Sequence, residues 1–239
     1  MIAFATALRW DVVVQARNGF YWATAFVVLV VGGLLLAVPE AARADEAAWV
    51  PTLVAVNLQI TTFFFVAGLL LLERDEGTLL ALAVSPLTPG AYLATRTLSL
   101  TTLAGIETIA LVSIAFTDSP SWPLLLAGTS ALGVIYTGIG ASLATRYASV
   151  NALLLPASVI VTLLLLPLLP HFGLAPRALF LMHPIEPALT LMRAAYGETN
   201  VANIAFGVLG SCWWGAITFV WGQRRVGRLM QDTVATGGR

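Results

Sequence analysis

Six long apolar runs decide what this chain can fold into. They cover about residues 21–38, 52–72, 92–116, 122–144, 152–169 and 201–221. Each can cross a hydrocarbon core of about 30 Å as a helix, which takes roughly 17–25 residues. Within lipid no water satisfies a backbone N–H or C=O, so a spanning segment must close its own hydrogen bonds, and a helix does that. The remaining residues cannot supply a water-facing surface. Only 10% of the chain is charged and 59% is hydrophobic, against about 25% charged in soluble domains. The chain therefore reads as an all-α membrane protein, with six transmembrane helices in a single domain over residues 1–239. Tyr21, Trp22, Trp49, Tyr92, Trp122, Tyr147 and Trp221 stand near the run edges, where amphipathic rings sit at the headgroup level.

Arginine placement sets the expected orientation. With both termini in the cytoplasm, the inside segments hold Arg9, Arg17, Arg74, Arg96, Arg146, Arg224, Arg225, Arg228 and Arg239. The outside segments then hold Arg43, Arg177 and Arg193. Cytoplasmic loops keep the positive charge, so this distribution favours a multi-pass protein of a bacterial cytoplasmic membrane with both ends inside and residues 222–239 as a tail. A signal-peptidase site at Ala42-Arg43-Ala44, before Asp45, is the competing reading. The stretch ahead of the first run, with Asp11 in it, is long for the charged leader of a signal peptide. Cleavage would also leave five spans and an outside terminus, so the retained span is preferred.

The charged residues exclude several functions. All twelve basic residues are arginine and lysine is absent. A P-loop ATPase needs a lysine on the phosphates, so the chain carries no ATPase of that type and binds no cofactor of that kind; if ATP powers it, ATP and Mg²⁺ sit on a partner subunit. Net charge is zero, and no basic block points to nucleic acid. The single cysteine, Cys212, supports neither a disulfide framework nor a cysteine-based zinc site.

Two segments outside the spans have a character of their own. Residues 1–20 read as a helix along the cytoplasmic interface, with Asp11, Gln15 and Asn18 on one face and Phe4, Leu8, Trp10 and Val13 elsewhere. Residues 170–200 hold both histidines yet include the apolar "ALFLM" and "ALTLM". Pro187 suits a first helical turn and Gly197 a helix end. Two short helices broken at His183-Pro184-Ile185-Glu186-Pro187 are expected there. Backbone dipping into the membrane must be buried in protein, so this outer segment should pack over the bundle.

The loop between the second and third spans, "ERDEGTLLALAVSPLTPG", asks for an explanation. Glu73, Arg74, Asp75 and Glu76 stop the second span, and Ser85-Pro86 ends a short helix. Thr88-Pro89 supplies a cap and a first-turn proline for the third span. A solvated hairpin would account for the charges and prolines. It would not account for Leu79, Leu80, Leu82 and Val84 on a short helix, which need a hydrophobic surface such as a membrane or a partner's groove.

"ERDEGTLLALAVSP" resembles the loop after the second span of ABC-2-type transporter permeases. The likeness extends to the N-terminal "LRWDVVVQARNGFYW", to six spans with both ends inside, and to "HPIEPALTLMRAAYGE" before the last span. Within that family it is most similar to permeases of fluoroquinolone-type drug exporters. The resemblance implies that the loop, residues 73–86, is a coupling helix docked into a groove of a separate ABC ATPase subunit. Glu73, Arg74, Asp75 and Glu76 would make polar contacts, Gly77 and Thr78 the tight helix start, and Leu79 and Leu82 the docking face. Many relatives carry Glu directly after Gly-Thr-Leu, whereas Leu80 stands here, which weakens a polar contact at that place. It also implies a dimer, with a second copy or a related permease, that moves drugs or other amphiphilic small molecules or lipids while two ATPase subunits burn ATP.

Several polar residues at membrane depth remain. Glu107, near the middle of the third span, is either a contact for a cationic or zwitterionic substrate or a helix–helix hydrogen-bond partner of Thr or Ser. A carboxylate at that depth costs about 2.5–3.5 kcal/mol on insertion scales. It would also be the proton site of an ATP-independent transporter. Asn57 and Gln59, with Thr61 and Thr62, line the path or bond between helices. Gly128, Gly133, Gly138 and Gly140 favour close helix packing, and Pro156 and Pro167 a bent fifth span. An intramembrane serine protease would need a histidine within reach of a serine at depth, and neither histidine lies in a span. His183 with Glu186 is too few ligands for a metal site.

Overall fold

A computed structural model describes residues 2–39, 45–116, 119–197 and 200–237. The signal-peptidase motif lies outside these described residues. Everything regular among them is helical, and six helices are long and apolar enough to span a membrane. The chain opens with α1 (Ile2–Arg17), breaks at Gly19 in the left-handed conformation, and enters the first span, α2 (Phe20–Ala37). The second span begins earlier than its apolar run, at Glu46, because the Asp45 side chain accepts from the Ala48 N–H and caps it. It comprises α3 (Glu46–Leu58), a π-helical turn (Gln59–Phe64) and α4 (Phe65–Asp75).

The short helix α5 (Thr78–Ala83) leads to the third span, α6 (Pro89–Ala115). Then follow α7 (Trp122–Ala144), α8 (Val150–Leu164) and a 3-10 stretch (Leu166–Phe172) that carries Pro167 and closes the fifth span. Pro156 stays within α8. The outer segment holds a 3-10 turn (Arg177–Phe180) and α9 (Glu186–Ala194), with Pro187 in its first turn. As expected, α9 is nearly all buried, from Glu186 to Met192. The last helix, α10 (Val201–Gly237), does not stop where its apolar run ends. Residues 222–237 of the expected tail continue it as helix, with Val226 and Met230 buried at the α5 end of the bundle.

The centre of the bundle is α7, and small residues put it there. A methyl at Gly138 would fall 2.6 Å from the Thr218 carbonyl oxygen of α10. One at Gly128 would fall 2.8 Å from the Ala188 carbonyl oxygen of α9, and one at Gly140 2.6 Å from that of Phe63. Three elements thus approach α7 backbone to backbone, the close packing expected of those glycines. The π turn is the third of them. An extra residue in a helical turn shifts its carbonyls out of the regular ladder, and the displaced Phe63 carbonyl sits where only a glycine on α7 leaves room.

Gly140→Ala should therefore destabilise the fold by about 1–3 kcal/mol, the usual cost of overpacking. Gly68→Ala, which meets nothing within 4 Å, should be neutral or slightly stabilising. Thermal unfolding of the two variants in the same detergent checks this, and equal midpoints would contradict the packing described.

Candidate functional site

The loop between the second and third spans is built by local rules. Gly77, at φ +72°, turns the chain sharply after α4. The Thr78 hydroxyl donates to the Glu73 carbonyl at 3.1 Å and fixes α5 against the end of α4. The Ser85 hydroxyl donates to the Leu82 carbonyl at 2.7 Å and ends α5, and Thr88 caps α6 by accepting from the Ala91 N–H at 3.2 Å. Arg74, Asp75, Glu76, Gly77 and Thr78 are exposed at the tip, and Leu82 is half-buried. The Arg74 guanidinium donates to the Tyr147 carbonyl at 3.1 Å, tying the tip to the end of α7.

Leu79, expected on the docking face, and Glu73, expected among the polar contacts, both point into the bundle. Leu79 is fully enclosed by the hydrophobic core, so it anchors α5 to its own bundle and offers a partner no surface. Glu73 is buried as well, because a cation inside the bundle holds it. That cation is Arg96, about two turns into α6, which pairs with Glu73 of α4 on one side and Asp11 of α1 on the other. The Tyr92 hydroxyl donates to Glu73 Oε2 at 2.5 Å, and the Arg96 guanidinium lies 5.4 Å from the centre of the Tyr92 ring. The Ser99 hydroxyl donates to Asp11, and Gln15 Nε2 donates to Asp11 at 3.0 Å and to Ser99 at 2.8 Å. The polar face of α1 is thus turned inward at Asp11 and Gln15, whereas Trp10 is 60% exposed.

Above this network a cavity of about 520 Å³ opens between α1, α5 and the first turns of α6. Asp11, Glu73 and Arg96 lie at its base, and Glu76 and Trp10 also line it.

Midway along the second span the π turn faces α6. The Thr61 hydroxyl donates to Glu107 Oε2 at 2.5 Å, the helix–helix bond that was one of the two readings of this carboxylate. Asn57 and Gln59 are buried on the same span, with Gln59 Nε2 3.5 Å from the Val161 carbonyl. Among the described residues, Glu107 Oε1 and Asn57 Nδ2 are buried without a hydrogen-bond partner. Thr61 and Glu107 meet directly, but no bond joins either to Asn57 or Gln59.

A second ion cluster lies at the other end. Glu186 Oε1, completely buried, accepts from Arg177 Nε at 2.7 Å and from Arg193 Nη2 at 2.6 Å. Arg177 also donates to the Thr190 hydroxyl at 2.7 Å. Glu186 is therefore taken by arginines, and no three metal-ligating side chains gather among the described residues. Sequence reasoning missed both clusters. The available signal was an arginine within a span, which must find carboxylates, and an aspartate in an otherwise apolar helix.

The sequence pattern of the fluoroquinolones export permease protein family matches residues 2–229. The chain is also similar to the fluoroquinolones export permease proteins of two strains of Mycobacterium tuberculosis, each 29% identical, with 84% of this chain and 84% of theirs covered.

Arg96→Met should leave two buried carboxylates without their cation, and removing one partner of a buried pair costs about 3–5 kcal/mol. Adding Asp11→Asn and Glu73→Gln to that variant should restore much of the loss, since polar amides need no counter-charge. Unfolding in detergent, wild type against the single and triple variants, reads both effects. A single variant as stable as wild type would contradict the network.

Proposed function

From the finding that this chain belongs to the fluoroquinolones export permease protein family, we infer that it is the transmembrane subunit of an ATP-driven ABC exporter. Its cargo is drugs, fluoroquinolones among them, or other amphiphilic small molecules or lipids. ATP and Mg²⁺ sit on a separate ATPase subunit, and two permeases, either two copies or this chain with a related one, act on two ATPases. Both termini and α5 face the cytoplasm of a bacterial cell. The clustering of Arg9, Arg17, Arg74, Arg146 and the arginines of α10 around the α5 end supports that orientation.

One observation carries the coupling role: α5 is a rigid projection and not a slack hairpin. Leu79 plugs it into the core, Glu73 at its base is ion-paired to the third span, and α10 packs against it. A push on its exposed tip therefore reaches α1, α4, α6 and α10 together. The surface left for the ATPase is Arg74, Asp75, Glu76 and Thr78, with the half-buried Leu82 and the 69% exposed Val84. Differential binding of the ATPase to two arrangements of the spans is what shifts them between inward-open and outward-open forms. Asn57, Gln59 and Glu107 line the path, and the unpartnered Glu107 Oε1 is the acceptor that a cationic group on the cargo would meet.

Co-expression with an ABC ATPase subunit, sought first among the neighbouring genes, tests this reading. Copurification and permease-stimulated ATP hydrolysis are expected, and Glu76→Ala or Leu82→Asp should weaken both by about ten-fold, equivalent to roughly 1.4 kcal/mol. A folded permease whose partner ignores both substitutions would overturn the coupling role of α5. Transport that proceeds without any ATPase and stops with Glu107→Gln would move the function to that carboxylate.

A further inference from the structure

The cavity beside α5 has the size and chemistry of a ligand site. Small-molecule sites run to roughly 300–1,000 Å³, with mostly apolar walls and a few placed polar groups, and this one measures about 520 Å³. Val14, Leu72, Ala81, Leu82 and Leu87 supply apolar wall. Its charged lining is Asp11, Glu73 and Glu76 against Arg96 alone, a formal charge of −2 when all are ionised. Asp11 and Glu73 share the Arg96 guanidinium, while Glu76 is exposed and makes no ion pair among the described residues.

That arrangement selects its occupant. An anion would meet three carboxylates, and a neutral apolar molecule would desolvate Glu76 without compensation. A molecule with an apolar ring body and a protonated amine satisfies both walls and charge. Trp10, exposed at the rim, adds an aromatic face for a cation. It also marks the mouth as lying at the depth where tryptophan rings sit in the headgroup layer, and amphiphilic amines collect in that layer.

We propose that this cavity is a recognition site for amphiphilic amines of drug size, which reach it from the adjoining leaflet. The proposal deepens the exporter reading and rests on it for the amine's being cargo; the binding itself needs no ATPase, and because Glu76, Thr78 and Leu82 also belong to the surface assigned to the ATPase, amine and docked ATPase compete for that edge of the cavity.

The test uses the full chain alone in nanodiscs of phosphatidylcholine and phosphatidylglycerol, with empty nanodiscs subtracted. Dibucaine, a fluorescent aromatic amine, is the probe, and anilinonaphthalene sulfonate is its anionic counterpart. Saturable dibucaine binding is expected, with at least ten-fold preference over the sulfonate. Thr6→Trp, which fills the cavity from the exposed side of α1, and Glu76→Gln should each weaken it about ten-fold. Affinity unchanged in both variants, equal binding of the sulfonate, or no saturable binding would overturn the proposal. Displacement of dibucaine by phosphatidylethanolamine at membrane abundance would assign the cavity to lipid and overturn it too. Failure here with ATPase copurification intact sinks the amine site alone. Saturable binding without copurification sinks the exporter reading and leaves the site.

Discussion

The guanidinium of Arg96 holds together three helices that the chain would otherwise leave loosely joined. A cation within a span is expensive unless its charge is met inside the protein, and here Asp11 and Glu73 meet it from two sides. The consequence runs outward. Helix α1 is held against the bundle, so it cannot drift as a detached interfacial helix. The end of α4 is fixed, which fixes the start of α5, and the space left between these elements becomes a shaped cavity. Breaking one ion pair would change all of these at once.

The two ends of the bundle use the same chemistry with the sign reversed. At the α5 end one guanidinium sits between two carboxylates; at the α9 end one carboxylate sits between two guanidiniums. In each cluster the shared group is buried and the charges that meet it come from more than one direction. Between them the packing is nearly free of charge, with Glu107 held by Thr61 as the exception. Glycines on α7 let neighbouring backbones approach where side chains would keep them apart.

Much of the architecture was legible in the sequence, because spans, caps and breaks obey local rules. The six runs, the Thr88-Pro89 start of α6 and the Pro187 start of α9 follow from apolar length and from residues with fixed φ or a capping oxygen. The π turn was not legible: it lies where α7 approaches at Gly140, and nothing within Gln59–Phe64 announces it. The facing of α5 was not legible either. Leu79 and Leu82 look equivalent on a short helix, and only the packing of α4 and α10 around it decides that one is enclosed and the other half-open. Glu73 and Glu76 differ for the same reason, since a carboxylate's role here depends on a cation twenty-three residues away in sequence and adjacent in space.

The length of α10 has a mechanical meaning. Thirty-seven residues of unbroken helix make a rod of about 55 Å at 1.5 Å per residue, longer than the hydrocarbon layer it crosses. One end lies against α9, where Gly207 and Gly210 meet Leu191 and Pro187, and the other runs beside Pro89 and α5. A rod of that kind bends little, so a few degrees of tilt about its contact with α7 displaces its two tips in opposite directions. The outer segment and the loop below are in that sense the two arms of one see-saw, pivoted where Gly138 lets α10 touch α7.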